Sequence, residues 1–164
     1  MKNNFKLVAT AAAGLESLTA KELRDLGIEV TLDDRSRVLF SGDKTTIATA
    51  NLWLRTADRV KIIVGEFPAK TFDELFEGVY ALEWEDLLPF GAKFPIAKAK
   101  AVKSDLHNEP SIQAITKKAV AKKLQEHYHR PENVPIPETG ALFSIEVALH
   151  KNVATIMIDT TGDS

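Results

Sequence analysis

Two rhythms of apolar residues alternate along the chain, one with the period of a strand and one with that of a helix. Phe5 to Ala13 reads as a strand rich in small residues. Leu15, Leu18, Glu22, Leu23 and Leu26 follow at helical spacing, with Thr19 and Glu22 placed as a capping box and Gly27 as a stop. Ile28 to Leu32 and Arg37 to Ser41 read as strands joined by the turn Asp33-Asp34-Arg35-Ser36. Asp43 suits the N-cap of a second helix whose face carries Ile47, Ala50, Leu54 and Ala57. Arg59 to Val64 is then a strand ending at Gly65. The order β-α-β-β-α-β predicts a ferredoxin-like unit, with helices on one face of an antiparallel sheet.

Phe67-Pro-Ala-Lys70 reads as a linker. Thr71 caps a third helix with the stripe Phe72, Leu75, Phe76 and Val79, and Pro89 closes the segment that begins at Trp84. From Phe94 to Lys103 the lysines and alanines alternate as in a strand with one solvated face. Pro110-Ser111 opens a long helix, with Ser111 as cap and Ile112, Ile115, Ala119, Val120, Leu124 and Tyr128 turned inward. Pro131, Pro135 and Pro137 mark a loop, and Leu142 to Leu149 and Val153 to Ile158 form a hairpin around Lys151-Asn152. The expected class is α+β, with one domain over 1–66 and a second over 67–164. The last strand runs into Gly162-Asp-Ser164, a pattern that opens a turn into further structure, so the chain is expected to be the front of a longer protein.

Composition narrows the class. The chain has no cysteine, which excludes disulfides and thiolate metal sites and is compatible with the cytoplasm. The apolar run near the N-terminus is too short for a membrane span, so no membrane partner is expected. A net charge of -2 conceals segregation. Between residues 66 and 90 the acids Glu66, Asp73, Glu74, Glu77, Glu83, Glu85 and Asp86 meet only Lys70. Between 97 and 130, Lys98, Lys100, Lys103, Lys117, Lys118, Lys122, Lys123 and Arg130 meet only Asp105, Glu109 and Glu126.

Catalytic patterns are absent from the sequence. No glycine-rich phosphate loop and no nucleophile elbow occurs. His127 and His129 stand two apart and point to opposite sides of a helix, and His107 and His150 have no carboxylate at ligand spacing, so no metal is expected. The basic segment is the remaining chemistry. Lys118, Lys122, Gln125 and His129 share a helix face, and Lys98, Lys100 and Lys103 leave the preceding strand on what is expected to be the same side of the domain. Clustered amines displace counterions along a phosphate backbone, although a solvated helix face has the same composition. Trp53 and Trp84 adjoin apolar stripes and are expected in cores, leaving backbone or shape recognition rather than base stacking.

Several stretches resemble one family. Thr10 to Glu16, Ala20 to Gly27, Asn51 to Val60, Thr71 to Phe76 and Trp84 are similar to the opening of the bacterial 23S ribosomal RNA guanine-N2 methyltransferases, often labelled N6-adenine-specific DNA methylases. Val102 to Leu106, Gln113 to Val120, Leu149-His-Lys151 and Asp159 to Ser164 continue the similarity, so it covers nearly the whole chain. The resemblance implies a ferredoxin-like domain, then a THUMP α/β domain that binds RNA, then a Rossmann-like methyltransferase domain that uses S-adenosylmethionine. The chain ends where that third domain would begin. No cofactor and no catalytic residue is therefore expected in this piece, and the target atom, guanine N2 or adenine N6, stays open. The implied function is capture and positioning of structured ribosomal RNA for a catalytic domain of the same chain. RNA-binding candidates are Lys98, Lys100, Lys103, Ser104, Lys117, Lys118, Lys122 and Lys123, of which Lys103, Ser104, Lys117 and Lys118 follow the family pattern. A ligand-sensing or protein-docking ferredoxin-like module is the competing reading.

Overall fold

The computed structural model describes residues 4–33, 37–131 and 133–160. Two compact units emerge, one formed by residues 2–63 with 159–164 and the other by 64–158.

The first unit contains β1 (Phe5–Ala11), α1 (Glu16–Asp25), β2 (Val30–Leu32), β3 (Val38–Gly42), α2 (Lys44–Trp53) and the start of β4 (Ala57–Pro68). Its strands lie in the order β2-β3-β1-β4, and each neighbouring pair is antiparallel. This is the ferredoxin-like arrangement that the residue periods predict. Leu7, Leu23, Val38, Val60 and Ala50 are at most 2% exposed and form its core. Asp43 closes α2 with a reciprocal capping box to Thr46. Gly27, at φ 82, ends α1: its N–H bonds the Arg24 carbonyl, while Ile28 N–H reaches back to Leu23. These are the two bonds of a Schellman stop, and they need the left-handed conformation that glycine adopts without strain. The predicted turn at 34–36 lies outside the described residues.

The second unit continues β4 and adds α3 (Phe72–Tyr80), α4 (Trp84–Leu87), β5 (Ile96–Val102), α5 (Glu109–His127), β6 (Ile145–His150) and β7 (Val153–Asp159). Its strands run β4-β7-β6-β5. β6 and β7 form an antiparallel hairpin, whereas β5 and β6 are parallel, joined by the long crossover through α5. Ala99, Val147, Leu149, Ala154, Ile156 and Ile158 turn one sheet face inward, and Leu75, Val79, Ile112, Ala119, Val120 and Leu124 are the buried positions of α3 and α5. Trp84 is fully buried, and its indole N–H donates to the Val79 carbonyl at 2.8 Å, so the one polar group of its side chain is paired. Among the described residues no helix is long and apolar enough to cross a membrane.

Several expectations are corrected. β4 does not stop at Gly65 but runs to Pro68, leaving little of the expected linker. A Cβ at Gly65 would stand 2.5 Å from Leu82 Cδ2, so this glycine makes room for a side chain instead of ending the strand. The cap of α5 is Asn108, whose Oδ1 accepts from Ser111 N–H, so Ser111 is the recipient of the cap. Ala57 belongs to β4 and lies outside α2. Residues 142–144 precede β6, and Leu142 only bridges to Lys93.

Thr19 and Glu22 are not a cap either. Both lie inside α1, and they fasten the loop after α2: Thr19 Oγ1 lies 2.7 Å from Thr56 Oγ1, and the Glu22 carboxylate accepts from the N–H groups of Arg55 and Thr56 and from the Thr56 hydroxyl. The Thr56 hydroxyl, followed by the Thr56 and Arg55 N–H groups and the Arg55 charge, outweighs burial and lowers the Glu22 carboxyl below its ordinary value of 4.5. A depressed folded value means stabilisation that is present above the unfolded value and is lost as pH falls through the folded one. Glu22→Gln is expected to lower stability at pH 7 by about 1 kcal/mol, and the difference from wild type should fade as pH falls below the ordinary carboxyl range. Urea denaturation across pH checks this; a difference that stays constant on acidification would contradict it.

Candidate nucleic-acid interface

At one end of the second unit three turns meet, and Asn152 holds them together. The β6–β7 turn is made by Lys151 and Asn152, both in the left-handed region at φ 49 and 66. These values fit the two-residue hairpin turn whose twist matches the strands, and asparagine tolerates them well. The Asn152 carbonyl accepts from Ala69 N–H at 2.8 Å, its Oδ1 from Asp105 N–H at 2.8 Å, and its own N–H donates to Ser104 Oγ at 3.0 Å. Ser104 Oγ in turn donates to the Val102 carbonyl, which also accepts from Lys151 N–H. Lys70, Lys103 and Lys151, each exposed and each beside one of these bonded residues, are thereby carried on a shared frame. Ser104 is the frame itself rather than a free surface hydroxyl.

Lys98 and Lys100 approach the same end along β5 and are exposed. Alternate strand residues lie about 6.6 Å apart on one face, so Lys98 and Lys100 share a face of β5. Because Ala99 is buried, they occupy the sheet face opposite the one that α3 and α5 cover. The expected merger with the helix lysines therefore does not occur. Lys118 and Lys122 are exposed together on the outside of α5, and His129 lies beyond the helix end at φ 54. Lys122 sits 5.7 and 5.6 Å from the Phe76 and Tyr80 rings, and Lys123 5.2 Å from Tyr80. The Tyr80 hydroxyl donates to Glu126, and this bond, with burial and the Glu126 and Glu77 charges, raises its pKa.

Lys117 is engaged internally. Its Nζ donates to Glu138 at 2.7 Å and to the Phe94 carbonyl at 3.1 Å, and stands 3.5 Å over the Phe94 ring. Burial pushes the Glu138 carboxyl up, but the Lys117 hydrogen bond, the Phe94 N–H and the Lys117 charge together bring it below its ordinary value. The aromatics also differ from expectation: Trp84 is buried, but Trp53 is 57% and Phe90 50% exposed, the latter with Arg130 5.2 Å from its ring and Tyr128 edge-on at 5.0 Å. Sequence reasoning did not include Lys151 and Lys70 among the candidates. The signal for Lys151 was present in its hairpin turn, whereas only the fold brings Lys70 beside it. Among the described residues no group of three or more His, Cys, Asp or Glu converges as for a metal ion.

A ferredoxin-like unit followed by a helix-covered sheet with a cationic turn end is a two-part module that presents a charged surface. The chain belongs to the THUMP-domain family: the THUMP domain model matches residues 69–159, and the RlmL ferredoxin-like domain model matches residues 6–61. It is 47% identical over 158 residues to YpsC of Bacillus subtilis, a candidate RNA methyltransferase, covering 96% of this chain and 40% of that one. It is 28% identical over 160 residues to the ribosomal RNA large subunit methyltransferase K/L of Syntrophotalea carbinolica, 22% of whose length is matched. The crystal structure of SMU.472, a candidate methyltransferase complexed with SAH, superposes with a TM-score of 0.92 at 61% identity, covering 98% of this chain and 42% of that one. The chain thus spans at most about two fifths of the length of these relatives.

If Asn152 is the fastener, its side chain and its backbone conformation should be separable. Asn152→Gly keeps the left-handed turn but loses the Asp105 bond and should cost about 1 kcal/mol. Asn152→Ala loses both and should cost about 2 kcal/mol. Thermal unfolding reads the order; equal stability of all three proteins would remove Asn152 from this role.

Proposed function

We propose that this chain captures structured ribosomal RNA and positions it for methyl transfer by a domain that follows residue 164 in the same protein. The domains are taken as 1–66 and 67–164, and the catalytic domain lies beyond them. The observation that carries the reading is the Asn152 frame, which joins the backbone segments next to Lys70, Lys103 and Lys151 at the end of the unit to which β5, with exposed Lys98 and Lys100, leads. Amines carried on joined backbone segments suit a phosphate backbone, because less loop ordering remains to be supplied on binding. The α5 ridge, with Lys118, Lys122 and Lys123, supplies a second patch. Ser104 contributes by holding the frame, and Lys117 by anchoring the Glu138 loop. The family membership and the names of the relatives support an RNA methyltransferase, with guanine N2 of the large-subunit RNA as the proposed target and the cytoplasm as the place of action.

S-adenosylmethionine is the proposed methyl donor of the whole protein, and among the described residues the N-termini of the longer helices are already occupied by the chain's own side chains. The N-termini of α2, α3 and α5 are closed by Asp43, Thr71 and Asn108, and the loop before α1 is closed by the Glu16 carboxylate, which accepts from Gly14 N–H. The donor and the chemistry belong to the following domain.

The proposal predicts that Lys100→Glu, Lys103→Glu and Lys151→Glu combined weaken binding of a ribosomal RNA fragment and flatten its dependence on salt. With roughly 0.7 counterions released per contact, the slope of log K against log salt should fall by about two. Lys118→Glu with Lys122→Glu should lower it by about one. Fluorescence anisotropy across a salt series reads both, and slopes equal to wild type in both variants would overturn the interface.

A further inference from the structure

The last turn of α2 displays Leu52, 73% exposed, and Trp53, 57% exposed, and α1 adds Leu18 at 51%. Trp53 is not at a frayed end. The loop that follows it is bound to Glu22 through the N–H groups of Arg55 and Thr56, and Thr19 contacts Thr56 Oγ1. A well-fastened backbone therefore holds a large aromatic and a leucine out into solvent, the arrangement of an anchor that packs against something else.

The occupant is indicated by the path of the chain. After β7 the backbone is tied to the first unit: Arg59 Nη1 pairs with Asp159 at 2.7 Å, and Thr160 bonds the Val60 carbonyl through both its N–H and its hydroxyl. Thr160 Oγ1 also accepts from Asn51 Nδ2 at 3.2 Å, one residue before Leu52. Whatever follows residue 160 thus sets out from beside the apolar patch, and in the relatives more than half of the protein is unmatched by this chain. We propose that the segment following Ser164 docks on Leu52, Trp53 and Leu18, so that the ferredoxin-like unit serves as the seat of the downstream domain while the THUMP unit holds RNA. This rests on the reading that the protein continues past residue 164.

Hydroxyl-radical footprinting read by mass spectrometry, applied to the 164-residue chain and to the complete gene product, tests it. Trp53 should be oxidised about fivefold more slowly in the complete product, as its exposure falls from 57% to the roughly 10% of a buried anchor. The protection should need no RNA and should not change with protein concentration. In the complete product, Trp53→Glu should speed proteolytic cleavage just after residue 160, while leaving the melting temperature of the 164-residue chain unchanged. Equal oxidation in the two proteins overturns the docking but leaves the RNA reading standing. Protection that grows with concentration assigns the patch to a second copy, and protection that appears only with RNA assigns it to nucleic acid; either result overturns the proposal. A gene product that ends at Ser164 removes both the docking and the positioning role.

Discussion

The left-handed turn at Lys151-Asn152 is the constraint on which the cationic end of the molecule depends. One asparagine gives its carbonyl to the segment before α3, its side-chain oxygen to the segment after β5, and its N–H to Ser104. Each bond contributes only about 1 kcal/mol, yet together they join three turns that the sheet alone would leave independent. Three amines on independent loops would each lose conformational freedom on meeting a phosphate. On a joined frame much of that loss has already occurred during folding.

Charge segregation makes sense in the same terms. The acids of residues 66–90 serve local structure: Asp73 and Glu74 lie in the first turn of α3, where the helix dipole favours them, and Glu74 also accepts from Lys70 N–H. Glu85 and Asp86 occupy the first turn of α4. The lysines divide in a different way. Lys117 is turned to Glu138 and Phe94, whereas its neighbour Lys118 points outward. One residue along a helix is a rotation of about 100°, enough to separate an internal fastener from a surface cation.

Much of this was legible in the sequence. The β-α-β-β-α-β order, the stop at Gly27, the caps at Asp43 and Thr71 and the hairpin turn at Lys151-Asn152 follow from local rules, and the structure contains each of them. The failures came where a local signal had a distant partner. Gly65 reads as punctuation, but its role is set by Leu82. Thr19 and Glu22 have capping-box spacing, but their partners are Thr56 and Arg55. Pro110-Ser111 draws attention away from Asn108 because proline is accepted anywhere in the first turn. Trp53 looked like a core residue because it extends an apolar helix, yet only Ala50 of α2 is buried. The lysine groups of β5 and α5 looked continuous because a linear reading cannot tell which sheet face a helix covers.

The central claim is that RNA meets the Asn152 end of the second unit. It is tested most directly by amine-reactive labelling of lysines with and without a ribosomal RNA fragment, quantified residue by residue. The account predicts strong protection of Lys98, Lys100, Lys103 and Lys151, weaker protection of Lys118 and Lys122, and none at Lys21 or Lys44 of the ferredoxin-like unit. Protection confined to the helix lysines, or spread evenly over all of them, would contradict it.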